Sequence, residues 1–340
     1  MRLAIVKLSA LGDIVHAMVA LQFIKEVLPA AEIDWIVEER LAGVLEHNPH
    51  VNRVLTLNLK ALKIDKALIF REIGKVRAYA QVNYDRVIDA QGLIKSALVA
   101  RLLSKHCAGF DQESIREKWA ARLYRETVSF PYDANTIDRN VAVLTRPLGI
   151  AVSREQILAK RPFLYFSPPV AALDDYFVVG QANVILVIGS TWPSRNYPLE
   201  HYLKLIFGLE ANILICWGNE QEHWMAQWLA ERSLARALPK LSLNDLKAAI
   251  ARCDLVVGND TGPTHMAWGL NRPSITLFGP TPVSRVYQTE INKVLKSPSQ
   301  VNPFKLDKND FSIGQIPPEQ VVELARRLLS AKADEPSSSA

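Results

Sequence analysis

The sequence predicts an α/β protein made of two Rossmann-like halves. Two observations carry this: short apolar runs alternate with longer amphipathic stretches, and the alternation lapses once near mid-chain before resuming. In the first half, Leu3 to Val6 reads as a strand, Ile14 to Leu28 as a helix and Ile33 to Val37 as a second strand. A helical stretch then begins at Leu41, and Val87 to Ile88 precedes a helix over Leu93 to Leu103. Strands separated by helices of this length form a parallel sheet with right-handed crossovers, whose ligands sit beyond the carboxyl ends of the strands. From about Arg161 the periodicity fails around Pro162, Pro168 and Pro169, as a linker's does. The second series has strands at Val184 to Ile188, Ile213 to Cys216, Leu255 to Val257 and Ser274 to Phe278, with helices from Pro198, Gln221, Leu243 and Thr261. The expected organisation is a domain over 1–165, a linker over 166–182, a second domain over 183–316, a helix over 317–331 and a disordered tail over 332–340. Pro317 and Pro318 open that last helix, and Val321, Leu324 and Leu328 share one face that needs a groove.

The 340 residues, 49% hydrophobic and 22% charged, exclude a disordered or collagen-like chain, and the length suits two domains with cores of their own. Cys107, Cys216 and Cys253 are an odd, widely spaced set that supports neither a disulfide framework nor a zinc site, so a reducing compartment is expected. No run reaches the length of a membrane span and no signal-peptide layout follows Met1, so a soluble cytosolic protein is expected. Charge is uneven. Residues 60–125 hold 14 Lys and Arg against seven acids, an excess larger than the +5 of the whole chain, which points to an anionic partner. With no helix-turn-helix, RNP-type motif or basic arm, that partner is not expected to be nucleic acid.

Three segments at strand ends could do chemistry. Residues 9–13, SALGD, form a strand-to-helix turn that fits neither GxGxxG nor a P-loop. Asp13 there serves either as an ionised base near the positive end of the helix or simply as an N-terminal helix group. Residues 258–265, GNDTGPTH, follow an apolar strand. Their small residues leave backbone amides open to a pyrophosphate, and His265 lies one turn into the helix. Gly189, Ser190 and Thr191, followed by Arg195, bring two hydroxyls and a guanidinium to a third strand end. No Asp-x-Asp pair occurs, so the charge of a departing diphosphate would fall to Arg195, hydroxyls and helix N-termini.

Six segments together resemble glycosyltransferase family 9, the bacterial lipopolysaccharide heptosyltransferases: IVKLSALGD (5–13), DWIVEE (34–39), VIDAQGLIKS (87–96), LPKLSL (238–243), DTGPTH (260–265) and RPSITLFGPT (272–281). The DAQG within 89–92 resembles the type I branch of that family. The resemblance implies a GT-B fold, two Rossmann-like domains facing a cleft with the C-terminal helix crossing back onto the N-terminal domain. It implies transfer of L-glycero-D-manno-heptose from ADP-heptose to a Kdo residue of Kdo-lipid A, with inversion, no metal and no cofactor, at the cytoplasmic face of the inner membrane. Asp13 then matches the general base, and Ser190, Thr191, Asp260, Thr261, Gly262 and His265 match contacts to the donor's diphosphate and heptose. Glu222 falls where the ribose is held and Leu241 where an apolar residue backs the adenine. Arg195 stands where Lys is usual, keeping the charge but changing the geometry. Lys60, Lys63 and Arg116 lie in the basic region expected to meet the acidic acceptor. The type II branch or another nucleotide-sugar transferase of the same family, a non-hydrolysing nucleotide-sugar epimerase sharing the two-lobed fold, and a nucleotide-sugar binding module without turnover are the alternatives.

Overall fold

A computed structural model describes residues 1–61, 64–169 and 172–333, and the chain folds as two units, Met1–Tyr165 and Phe166–Ala340. The expected tail, from residue 334 on, and Lys63 lie outside the described residues.

The first unit has six parallel strands, β1 (Arg2–Val6), β2 (Glu32–Glu38), β3 (Arg53–Leu57), β4 (Arg86–Asp89), β5 (Cys107–Phe110) and β6 (Glu126–Val128), in the order β3-β2-β1-β4-β5-β6. Leu3 to Val6 are all buried, as a central parallel strand covered on both faces requires. In register, Ile5 stands opposite Trp35 on one side and Ile88 on the other. The crossovers carry α1 (Leu11–Met18), α2 (Ala20–Val27), α3 (Leu68–Ala80) and α4 (Ile94–Leu103), and α5 (Thr136–Thr145) and the short α6 (Arg154–Leu158) follow the last strand. The single helix expected over 14–28 is two, α1 and α2, and the helix expected from Leu41 is a 3-10 segment, Glu39–Val44. Gly43 weakens a longer helix there.

The second unit repeats this topology. Its strands are β7 (Asn183–Val187), β8 (Asn212–Cys216), β9 (Arg236–Ala237), β10 (Leu255–Asn259), β11 (Ser274–Phe278) and β12 (Asn292–Lys296), all parallel in the order β12-β11-β10-β7-β8-β9, so β7 holds the place that β1 holds in the first unit. Its helices are α7 (Leu199–Gly208), α8 (Glu220–Ala230), α9 (Leu243–Arg252), α10 (Gly262–Gly269) and α11 (Pro318–Ala333). The strand order of each sheet reverses at its middle, between β1 and β4 and between β7 and β10, where successive crossovers leave to opposite sides and open a crevice at the carboxyl ends.

One expectation about α11 is corrected. Its Val321, Ala325 and Leu328 are buried in the core of the second unit, with Leu205, Ile206 and Ile313, rather than on the N-terminal sheet. The groove is supplied by α7, β10 and β11. Arg326 clamps the contact by donating to the Gly208 carbonyl through Nε (3.1 Å) and Nη2 (2.7 Å). All three cysteines are buried free thiols.

The contact between α7 and α11 is close enough to need glycine. A Cβ on Gly208 would lie 2.6 Å from Val322 Cγ2. Gly208→Ala is expected to cost about 1–3 kcal/mol in urea unfolding by overpacking, and Gly208→Ala with Val322→Ala is expected to recover most of it, a non-additivity that a double-mutant cycle reads directly.

Candidate active site

In the second unit the crevice lies between the loops that leave β7 and β10, which pair with Val187 opposite Gly258. Asn259 ties the two loops together: its Nδ2 donates to the Ile188 carbonyl (2.8 Å) and its Oδ1 accepts from the Tyr197 amide (3.0 Å). Both groups are buried, so the arrangement satisfies backbone that water does not reach.

Asp260 follows, with its side chain 1% exposed. Arg195 Nη2 approaches Oδ2 at 3.0 Å, His265 Nε2 lies 2.9 Å from Oδ1, and Arg285 Nε lies 4.0 Å from Oδ2. Burial alone would push this carboxyl up, but the neighbouring Arg195, His265 and Arg285 reverse that and hold it well below the usual carboxylate range. Asp260 is therefore an ionised anchor around which the Arg195 and Arg285 guanidiniums gather, with the His265 imidazole bonded beside them. Thr261 precedes α10, which starts at Gly262 with Pro263 in its first turn; the first-turn amides of a helix lack intrahelical partners and carry its positive end.

The β7 loop completes the site. Ser190, half-buried, donates to the Trp192 carbonyl (2.8 Å), and Thr191 is exposed. Glu222, in the first turn of α8, accepts from the Gly218 amide (2.8 Å) through Oε2 and from Asn219 Nδ2 (2.7 Å) through Oε1. It lies so close to the end of β7 that a Cβ on Gly189 would meet its Cδ at 2.2 Å. Leu241, half-buried, sits in the loop after β9, just before the Ser242 cap of α9. The structure thus gathers Ser190, Thr191, Arg195, Glu222, Asp260, Thr261, Gly262 and His265 at the carboxyl end of one sheet.

In the first unit, Asp13 is the third residue of α1, and its Oδ2 accepts from the Ala10 amide (3.2 Å). Lys7 lies behind it, 6% exposed, its Nζ donating to the Ala90 carbonyl (2.8 Å). Burial pushes the Lys7 ammonium down, against the pull of the Asp13 and Asp89 carboxylates. Lys60 and Arg116 are exposed. Lys60 faces Glu38 at the end of β2: burial raises that carboxyl, while the charges of Lys95, Lys60 and Arg40 pull it back. Among the described residues no group of three or more His, Cys, Asp or Glu is placed to hold a metal.

Three residues were not singled out from the sequence. Arg285 lies four residues beyond the 272–281 segment, and nothing in the spacing links it to Asp260. Lys7 and Gln91 fall inside quoted segments, yet as single letters in apolar or polar surroundings they carry no signal of their own.

Residues 75–303 match the family model described as glycosyltransferase family 9 (heptosyltransferase). The chain is 35% identical to a lipopolysaccharide heptosyltransferase 1 of Campylobacter coli, over 96% of this chain and 99% of that one. It belongs to glycosyltransferase family 9. To the lipopolysaccharide heptosyltransferase 1 of Escherichia coli K12 it is 33% identical, over 83% of this chain and 88% of that one. Among solved structures, the E. coli heptosyltransferase WaaC with ADP-2-deoxy-2-fluoro heptose superposes with a TM-score of 0.78 at 26% identity, over 96% of this chain and 99% of that one. The two-unit α/β architecture expected from the sequence is the GT-B fold of these heptosyltransferases.

The Asp260 pair makes a testable demand. Because the folded carboxyl titrates below its unfolded value, its stabilisation is present above about pH 4 and is lost as pH falls below that. Asp260→Asn is expected to destabilise the protein by roughly 3–5 kcal/mol at pH 7, since it leaves buried Arg195 without its counter-charge. It should also flatten the fall of Tm between about pH 4 and pH 2. Thermal melts across that range check both.

Proposed function

We propose that this family 9 enzyme transfers L-glycero-D-manno-heptose from ADP-heptose to a Kdo residue of Kdo-lipid A in lipopolysaccharide core synthesis, inverting the anomeric carbon without a metal. The observation that carries the reading is the set of groups on Asp260: the Arg195 and Arg285 guanidiniums and the His265 imidazole around one buried carboxylate, beside the start of α10. Such a site suits a diphosphate. The WaaC structure with an ADP-heptose analogue supports adenosine diphosphate heptose as that ligand. In this reading Asp260, being buried, acts on the donor through the groups it holds, Glu222 takes the ribose and Leu241 backs the adenine. Asp13 draws the proton from a Kdo hydroxyl as that oxygen attacks the anomeric carbon from the face opposite the phosphate. The carbon–oxygen bond to phosphate breaks, and its electron pair leaves with ADP, whose charge is met by Arg195, Arg285 and the α10 amides. Lys60 and Arg116, with Lys63, meet the acidic acceptor.

The first unit also supports docking on an anionic membrane surface. Ile94, Leu98 and Leu102 recur every four residues on α4 and are 41%, 49% and 47% exposed. Neighbouring α3 and the turn Lys118–Leu123, both packed against α4, expose Phe70 and Trp119. Exposed Lys95, Arg101, Lys105 and Lys118 flank the stripe, so apolar insertion and attraction to anionic lipid act together. No described helix is long and apolar enough to cross a membrane.

Release of ADP from ADP-heptose, with and without Kdo-lipid A and with no divalent metal, tests the transfer. Acceptor-dependent release is expected, and Asp13→Asn should lower it by roughly 10²–10⁴-fold, the usual share of a general base, while ADP-heptose binding persists. No release from the wild-type protein in either condition would refute the transferase reading in favour of a binding module. For the membrane, Leu98→Asp with Leu102→Asp should abolish co-flotation with phosphatidylglycerol vesicles and leave turnover on deacylated Kdo-lipid A unchanged; retained flotation rejects the α4 surface.

A further inference from the structure

The segment Asp89-Ala90-Gln91-Gly92 has no role in the chemistry so far, yet it is wired into the turn that carries Asp13. Gln91 Oε1 accepts from two successive amides, Leu8 at 3.0 Å and Ser9 at 2.9 Å. Two N–H donors aimed at one atom require that atom to be oxygen, so the carboxamide orientation is fixed by its partners. Gln91 is itself held: Asp89 Oδ1 accepts from the Gln91 amide (2.8 Å) and the Gly92 amide (3.3 Å). The other carboxylate oxygen of Asp89, fully buried, accepts from Ser96 Oγ (2.8 Å) and Tyr124 Oη (2.7 Å). Ala90 contributes its carbonyl to Lys7 Nζ at 2.8 Å. Gln91 therefore holds the β1–α1 turn, Asp89 holds Gln91, and Ala90 holds Lys7 at the end of β1.

We infer that Gln91 is a positioning residue for Asp13: by taking the Leu8 and Ser9 amide hydrogens it fixes the turn from which α1 starts, and so the point in space from which the Asp13 carboxylate acts. Asp13 lies four residues beyond the second of those amides, and its own Oδ2 is bonded back to the Ala10 amide. A shift of the turn therefore carries the carboxylate with it. The inference rests on the reading of Asp13 as the base. Gln91 does not touch the reacting atoms in this account; it acts through the backbone of residues 8 and 9. Lys7 restrains the same junction from the sheet side, its ammonium bridging the β1 end to the β4 end.

The acceptor oxygen, rather than the shape of the side chain, is what the turn uses. Gln91→Glu keeps an oxygen for both amides, whereas Gln91→Leu keeps the volume and removes it. Displacement of a catalytic group by about 1 Å can cost on the order of 10²-fold in rate. Gln91→Leu is expected to lower kcat by that order with the KM for ADP-heptose within about twofold, and Gln91→Glu to recover most of kcat. Hydrogen exchange of the Leu8 and Ser9 amides should be slow in the wild type and in Gln91→Glu, and fast in Gln91→Leu. Asp13→Asn is measured alongside. If Asp13→Asn loses its rate but Gln91→Leu keeps kcat, the positioning role is overturned while Asp13 stands as base. If Asp13→Asn itself keeps its rate, the base reading fails and this inference falls with it. If Gln91→Leu unfolds, Gln91→Glu and Gln91→Lys decide: equal kcat in an acceptor-retaining and an acceptor-lacking variant overturns the role.

Discussion

A carboxylate that water cannot reach must have cations brought to it, and Asp260 is such a carboxylate. Isolated, its charge in the interior would be prohibitively costly; with Arg195 at 3.0 Å and His265 at 2.9 Å it is retained. The rest of the second unit's site follows from meeting that need. Arg195 has to stand at the end of the β7 loop, Arg285 has to come in after β11, and Asn259 has to lock the β7 and β10 loops so that the pair stays matched. Neutralising Asp260 is thus a change to the whole crevice rather than to one contact.

The two units solve the same geometric problem with opposite signs. Both sheets have one strand order and both open a crevice where the crossovers diverge. At that point the first unit buries Lys7 behind the half-buried Asp13 carboxylate; the second buries Asp260 against the guanidinium of Arg195, itself buried, with the more exposed Arg285 beside them. In the proposed reaction, the group that accepts a proton and the groups that receive departing phosphate charge need these opposite surroundings. The buried member in each case fixes its neighbours and has no need to reach the ligand.

The fold was readable because periodicity is local. Central strands such as β1, β7, β8 and β10 each carry a short run of consecutive buried apolar residues, and such a run reads as a strand from the sequence alone. The edge strands β3, β6, β9 and β12 escaped because they are short or mixed, half-buried on a sheet margin where nothing enforces an unbroken apolar run. α11 was found as an element and misplaced as a partner: an apolar stripe states that a groove exists but not which unit supplies it. Within the site, the strand-end segments could be read because glycine, threonine and aspartate cluster there for backbone reasons. Arg285 could not, since α10 and β11 lie between it and Asp260 and leave no spacing to detect. Gln91 was hidden differently; its partners are backbone amides, which have no letter in the sequence.

Arg195 stands where the family resemblance implies Lys, and the difference has a physical reading. Where Lys would place one compact ammonium, the guanidinium presents a planar fork with donors on separate edges. One edge is committed to Asp260 through Nη2, and the plane lies 5.5 Å from the Trp192 ring centroid. In the proposed reaction Arg195 holds a buried carboxylate and also offers charge to a diphosphate, and two edges serve both, because meeting one demand does not consume the donors needed for the other. Arg285, at a longer 4.0 Å and more exposed, adds charge without being tied as tightly. The substitution of Arg for Lys therefore preserves the balance of charge around Asp260, and it divides between two donor edges a task that a single ammonium would have to share.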